Sequence, residues 1–195
     1  MTSSADLPEN LPNDLPADLP AEPVDDFAGL ANQIPEEAAA VVRAWLDDSG
    51  LDYDEKVPGQ LSFALPGEKK LQTPVRLDLG PHALGIHAFV CRNPDENHVG
   101  VYRWLLEKNL RLYAVAFAVD KDGDIYLDAR LPLSSVTTED LDRILGTVLN
   151  VADNSFNTLL DLGFATSIRK EWEWRLSHGE STKNLEAFQH LRPDA

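Results

Sequence analysis

The chain has 195 residues, of which 43% are hydrophobic and 26% charged, as expected for a globular protein with a sizeable core. Its 33 acidic and 17 basic residues give a formal net charge of -16, which disfavours binding to nucleic acids or anionic lipid surfaces. The single cysteine, Cys91, excludes an internal disulfide and a cysteine-based zinc cluster. Because we find neither a secretory leader nor a run of about 20 apolar residues, we expect a cytoplasmic protein.

The first 33 residues differ in composition from the rest of the chain. Leucine-proline pairs recur every four residues between Leu7 and Pro20, and no lysine or arginine precedes Arg43. Proline removes backbone donors and the like charges repel, so residues 1–33 are predicted to be a disordered acidic tail. Two roles stay open for this tail: it solubilises the protein, or it docks onto a partner or onto the domain's own groove.

Residues 34–178 are predicted to form one domain, followed by a flexible tail over residues 179–195. Apolar residues at helical spacing predict a first helix between Pro35 and Gly50. Alternating apolar residues then predict strands over residues 60–65 and 75–79. Residues 83–91 predict a third strand that is apolar on both faces except at His87, which is typical of a central strand.

The second half of the domain begins with the motif Asn93-Pro94-Asp95-Glu96, which predicts a helix start. Strands are predicted over residues 111–119 and 124–131, joined by a turn that ends in Asp122-Gly123. Thr137 or Thr138 is predicted to cap a long helix that ends at Gly163, about 25 residues or near 37 Å in length. Residues 165–176 predict a further helix.

This element order predicts an α+β fold, α-β-β-β-α-β-β-α, with a five-stranded antiparallel sheet, helices, and an additional C-terminal helix. The chain resembles the YbjN family, whose domain is similar to class I type III secretion chaperones. The segments that carry the resemblance are residues 100–106, the strand 112–119 and Asp153-Asn154-Ser155-Phe156. The resemblance implies a homodimer and a surface that holds an extended peptide of a partner protein, and it implies no catalytic residues.

The pattern of the strands independently indicates a binding surface. An antiparallel sheet with helices on one face leaves its other face free, and several strands carry apolar residues on both faces. Either the C-terminal helix covers that second face, or a partner does. The residues that we expect at the dimer or partner surface are Tyr102, Leu106, Leu110, Leu112, Tyr113, Val115, Phe117, Trp172 and Trp174.

Other constellations of residues do not support a catalytic or metal site. The aspartates of the predicted hairpin turn lack the glycine and glutamate positions of a calcium loop. His87 and Cys91 lie about 13 Å apart on one predicted strand face, too far for a nucleophile and its base, and a buried structural cysteine is the better interpretation. We therefore predict no catalytic residue, no metal and no cofactor.

The sequence thus predicts a non-enzymatic protein- or peptide-binding domain, chaperone-like or regulatory, that acts as a homodimer and binds neither nucleic acid nor membrane. The alternative is a small-ligand sensor or enzyme with a pocket between the sheet and the C-terminal helix. In that alternative, Trp172 and Trp174 line the pocket.

Overall fold

A computed structural model describes residues 36–193 of the chain. The helices and strands, in chain order, are α1 (Glu36–Ser49), β1 (Tyr53–Val57), β2 (Gln60–Pro66), β3 (Gln72–Leu79), β4 (Ala83–Cys91), α2 (His98–Asn109), β5 (Ala116–Val119), β6 (Ile125–Pro132) and α3 (Thr138–His178). Two short 3-10 helices span Leu133–Ser135 and Lys183–Leu191. The acidic tail predicted over residues 1–33 lies outside the described residues. Among the helices that the structure describes, none is long and apolar enough to cross a lipid bilayer.

The strands form one antiparallel sheet in the order β1-β2-β3-β4-β6-β5. The mixed α+β class with an antiparallel sheet is as predicted, but the sheet has six strands rather than five. The additional strand is β1, whose central residues Asp54, Glu55 and Lys56 are all charged. Because β1 lies at the edge of the sheet and none of its residues is fully buried, it lacks the apolar alternation that identified the other strands.

One face of the sheet, which we call the core face, is buried beneath α1 and α3. In the central strand β4, the side chains of Leu84, Ile86 and Ala88 lie on this face and are fully buried. They pair across the sheet with core positions of β3 and β6, such as Leu77 opposite Ile86 and Leu127 opposite Ala88. The hydrophobic core therefore fills the space between the core face and the two helices.

The start of α2 differs from its prediction. The helix begins at His98 rather than after Asn93, and Asn97 before it has the left-handed φ of 52°. The backbone N–H groups of Asp95 and Glu96 donate to the carbonyl oxygen of Gly163, at 2.9 and 3.1 Å. These two residues therefore attach the α2 entry loop to α3 instead of forming a first turn.

The strand predicted over residues 111–119 is shorter than expected, because β5 comprises only Ala116–Val119. Ala114 has a φ of 61°, which an extended strand does not allow. The turn that joins β5 to β6 agrees with its prediction. Asp120 Oδ1 accepts hydrogen bonds from the backbone N–H groups of Asp122 and Asp124, and Gly123 adopts a φ of 86°.

The long helix begins as predicted, since the hydroxyl of Thr137 accepts a hydrogen bond from the N–H of Asp140. At Phe164 the backbone leaves helical geometry (φ -141°, ψ 16°), so that α3 consists of two helical segments. The predicted break after Gly163 and the following helix therefore lie within α3. The segment that we expected to be a flexible tail contains the second 3-10 helix, whose side chains Leu185, Phe188 and Leu191 are buried. That part of the predicted tail packs onto the domain because it carries these three apolar residues.

Candidate functional site

The second face of the sheet, which we call the open face, carries a shallow cavity of about 480 Å³. Outward positions on three neighbouring strands contribute to it, including Arg76 of β3, His87 and Phe89 of β4, and Tyr126 of β6. No described residue after Asp128 lines this cavity. Among the described residues, the C-terminal helix therefore does not cover this part of the second face.

A charged network lies at the centre of the open face. The Nδ1 atom of His87 lies 2.5 Å from an oxygen of Asp128, and its Nε2 atom lies 3.2 Å from an oxygen of Asp78. The same oxygen of Asp78 accepts a hydrogen bond of 2.9 Å from Nε of Arg76. Gly85 makes room for this arrangement, since a Cβ atom there would lie 3.1 Å from Nε2 of His87.

The hydrogen bonds keep His87 protonated. They raise its pKa to about 9, the bond to Asp128 contributing most and the bond to Asp78 next, against the opposing effect of burial. Burial alone would raise the pKa of Asp78, but its bonds to His87 and Arg76 lower it overall. Since both ring nitrogens donate protons to carboxylates, His87 is an imidazolium near neutral pH and is not available as a general base.

Cys91 and His87 lie on opposite faces of the sheet, and not on one face as we expected. The pairing of β4 with β6 is irregular between Phe89 and Cys91. This irregularity turns the Cys91 side chain toward the core, where it is buried and where burial raises the pKa of its thiol to about 11. A nucleophile–base pair is excluded, and the interpretation of Cys91 as a buried structural residue is confirmed.

Part of the predicted partner surface is exposed in α2 and in the segment that leads to the edge strand β5. The side chains of Leu106, Leu110 and Tyr113 are 67%, 87% and 79% exposed, and we call these three residues the α2–β5 surface. Tyr102 and Leu112 are only partly buried and pack against the core. Val115 and Phe117 are buried in it, so these two residues do not form part of the exposed surface.

The free edge of β5, next to the α2–β5 surface, is already occupied by a side chain. Oδ1 of Asn109 accepts a hydrogen bond of 2.7 Å from the N–H of Phe117, and its Nδ2 donates to the carbonyl oxygen of Phe117 at 3.1 Å. The amide of Asn109 therefore takes the place of a neighbouring strand. A peptide cannot add to this edge at Phe117 without displacing Asn109.

The two tryptophans of the predicted site do not belong to a common surface. Trp172 is buried, and its indole N–H donates to the carbonyl oxygen of Phe188 at 3.1 Å. Trp174 is half exposed and stacks on His178, with the ring centroids 4.8 Å apart. A pocket does lie between the sheet and the C-terminal part of α3, but neither tryptophan lines it.

The network on the open face was missed in the sequence analysis, although a signal for it exists. Arg76, Asp78 and His87 occupy the outward positions of β3 and β4, where apolar residues alternate with them. Asp128 occupies the matching position of β6 directly opposite His87. The alternation reveals the polar positions, but it does not reveal that β6 is the neighbour of β4.

The fold is a mixed α+β domain with one antiparallel sheet, whose core face is covered by helices and whose second face carries the shallow cavity. The family model of YbjN, described as "Putative bacterial sensory transduction regulator", matches residues 38–161. The chain is also 51% identical to the protein ML2442 of Mycobacterium leprae over 162 residues, which are 80% of this chain and 88% of that protein. The chain therefore belongs to the YbjN family, and the resemblance found in the sequence is confirmed.

Two solved structures are similar to this fold at low sequence identity. The ExsC-ExsE complex contains a chain that matches with a TM-score of 0.48 and 20% identity, over 65% of this chain and 95% of that one. YbjN from E. coli matches with a TM-score of 0.45 and 17% identity, over 58% of this chain and 87% of that one.

Proposed function

We propose that this chain is a homodimeric, non-enzymatic protein-binding domain that holds an extended segment of a partner protein on the open face of its sheet. The observation that carries the proposal is the α2–β5 surface, where Leu106, Leu110 and Tyr113 expose large apolar side chains close together in the chain. Monomeric proteins seldom expose adjacent large apolar side chains without a partner. A second copy of the chain would bury them.

Both edges of the sheet favour a dimer contact through side chains over the addition of a strand. Asn109 already binds the backbone of Phe117 at the outer edge of β5. The opposite edge, β1, carries three consecutive charged residues from Asp54 to Lys56 and an irregular register, features that protect edges from pairing. The dimer therefore forms through α2 and the loop that follows it.

The open face suits an extended peptide. Its cavity combines apolar surface from Pro74, Phe89 and Ala118 with the charged groups of Arg76 and His87. Apolar pockets would accept alternate side chains of the peptide, and the charged groups would orient it. Its shallow form suits a peptide chain better than a compact substrate, and the protonated state of His87 argues against general-base catalysis by this residue.

Light scattering coupled to size-exclusion chromatography tests the dimer. We expect a dimer for the wild-type chain and a monomer for Leu110→Glu, because the substitution places a charge in the apolar interface. Leu71→Glu is the matched control, since Leu71 is 78% exposed but lies in the turn between β2 and β3, and it should remain dimeric. A wild-type chain that is monomeric at every concentration would contradict the proposed assembly.

Peptide display tests the open face separately. A library of linear peptides is selected on the wild-type chain and on Ala118→Arg, whose long side chain would fill the cavity beside exposed Ala118. Peptides enriched by the wild type should lose their enrichment on the variant. Equal enrichment on both proteins would place the bound peptide elsewhere and contradict this part of the proposal.

A further inference from the structure

A second cavity, which we call the Lys70 pocket, lies between the end of β4 and the C-terminal part of α3. Its volume is about 470 Å³, within the range of about 300–1,000 Å³ that is typical of small-molecule sites. The side chains of Phe89, Phe156 and Leu160 are only partly buried there, so the pocket is open to solvent. Val90, Phe164, Ile168 and Leu185 add further apolar surface to its lining.

The pocket contains a buried cation that has no carboxylate partner among the described residues. Lys70 is only 8% exposed, yet within residues 36–193 no acidic oxygen lies within 4.0 Å of its Nζ atom. Nζ donates to the carbonyl oxygen of Gln72 at 2.7 Å and lies 5.5 and 5.6 Å from the ring centroids of Phe89 and Phe156. An ammonium has three N–H donors, so its hydrogen-bonding capacity is not used up by this single acceptor.

The other charged residues of the Lys70 pocket are paired with partners of their own. Arg92 forms two hydrogen bonds with the carboxylate of Asp95. Glu171 accepts a hydrogen bond of 2.6 Å from Nε of Arg175. The positive charge of Lys70 is therefore the one that a ligand could neutralise among the described residues of the pocket.

The position of Lys70 is fixed by the loop that carries it. Oδ1 of Asp153 accepts the backbone N–H groups of Glu68, Lys69 and Lys70, at 2.9, 2.8 and 2.9 Å. A Cβ atom at Gly67 would lie 2.4 Å from the carbonyl oxygen of Lys70 and 2.6 Å from Oδ1 of Asp153, so the tight loop requires glycine there. Lys70 is thus oriented by the loop rather than left to move freely as a surface lysine.

We propose that the Lys70 pocket binds a small amphipathic carboxylate, with the carboxylate on Nζ of Lys70 and the hydrocarbon part against Phe156, Leu160 and Ile168. Burial of an unpaired charge is costly, and a carboxylate at this place would form a charge-assisted hydrogen bond in an apolar environment. The site goes beyond the proposed function, because it takes a small molecule and shares only Phe89 with the lining of the open-face cavity.

The C-terminal part of the chain contributes much of the site. Phe164, Ser167, Ile168, Glu171 and Leu185 line the pocket and follow the last residue matched by the family model. The pocket is thus assembled from the family domain on one side and from the segment after it on the other. Binding of the ligand would stabilise the packing of these two parts against each other.

Calorimetric titration of the full-length chain with decanoate and with 1-decanol tests whether the charge of Lys70 contributes to ligand binding. The two probes share a tail and differ in the head group. We expect decanoate to bind saturably and at least tenfold more tightly than 1-decanol, because a hydrogen bond to a charged group typically contributes that much free energy. Lys70→Met should remove this preference. Lys69→Met should retain it, since the neighbouring Lys69 is exposed and donates to Asn154 instead.

A second variant tests whether the probes bind in the Lys70 pocket. Leu160→Trp enlarges a partly buried side chain of the lining and should weaken the binding of decanoate and of 1-decanol to the same degree. Absence of saturable decanoate binding to the wild type would overturn the proposal. Equal affinity for both probes, an unchanged preference in Lys70→Met, or full binding in Leu160→Trp would overturn it as well.

Discussion

The carboxylate of Glu96 caps the second helical segment of α3 by binding Thr166. One oxygen of Glu96 accepts the backbone N–H of Thr166 at 2.6 Å, and the other accepts its hydroxyl at 2.8 Å. The kink at Phe164 leaves the first N–H groups of that segment without partners in their own helix. These hydrogen bonds lower the pKa of Glu96, the backbone N–H contributing most. The loop before α2 therefore supplies the cap.

We predict that Glu96→Ala lowers the melting temperature by about 3 °C, because it removes a helix cap. The loss should concentrate in the C-terminal part of the chain, where amide hydrogen exchange after Phe164 should accelerate. Glu107→Ala is the matched control, since Glu107 lies in α2 and interacts only weakly with Arg103, at 3.9 Å. Equal effects of the two substitutions would contradict the role of Glu96 as a cap.

We predict that Asp153→Ala lowers the free energy of unfolding by about 2 kcal/mol, since it leaves three backbone N–H groups of the loop at Lys70 without their acceptor. Asp153→Asn should cost less, because the amide oxygen still accepts hydrogen bonds. Urea denaturation measures both values. Asp161→Ala serves as the control on the same helix, where the carboxylate binds only the exposed His190, and a loss as large as that of Asp153→Ala would contradict the prediction.

We predict that the network of His87 makes stability depend on pH. The folded-state pKa of His87 is about 9, against 6.5 for a free histidine. The stabilisation is fully present below pH 6.5 and is lost as the pH rises through 9, because the unfolded chain releases this proton first. The free energy of unfolding of the wild type should fall by about 2 kcal/mol across this interval.

Urea denaturation at pH 6.5 and at pH 9 measures this loss, with His87→Gln as the comparison. The variant lacks the ionisable ring and should show a clearly smaller change between the two pH values. His82→Gln is the control, since His82 lies outside the network at the start of β4. If wild type and His87→Gln lose the same stability, the ring is not held protonated by Asp78 and Asp128.

Features of the fold that depend on neighbouring residues in the chain were predicted best, and features that depend on distant contacts were not. The strand β4 and the start of α3 depend on residues close together in the chain. The bounds of β4 were predicted correctly, and the cap of α3 is Thr137, one of the two threonines predicted for it. The start of α2 was wrong because Asp95 and Glu96 bind Gly163, a contact between distant residues. The neighbours of His87 likewise depend on the pairing of β4 with β6, which alternation within one strand does not specify.

A pocket between the sheet and the C-terminal helix was the alternative interpretation of the sequence, and it gave Trp172 and Trp174 as the lining. The structure has a pocket at this place, but neither tryptophan lines it. Trp172 instead binds the 3-10 helix through Phe188. Lys70 lies in the loop between β2 and β3, about 100 residues before the tryptophans in the chain. Its sequence context, Lys69-Lys70, is that of an ordinary exposed loop. Only the packing of Phe89 and Phe156 around it distinguishes Lys70 from its neighbour.

We finally predict that Lys70→Met leaves the free energy of unfolding unchanged or raises it by about 1 kcal/mol. Lys70 buries an ammonium that has no carboxylate partner within residues 36–193, and this burial lowers its pKa. Methionine has a similar length and is favourable between two aromatic rings. If Lys70 served stability instead, Lys70→Met would lower the free energy of unfolding. A loss of about 2 kcal/mol in urea denaturation, with no loss in Lys69→Met, would show that Lys70 stabilises the fold through its hydrogen bond to Gln72.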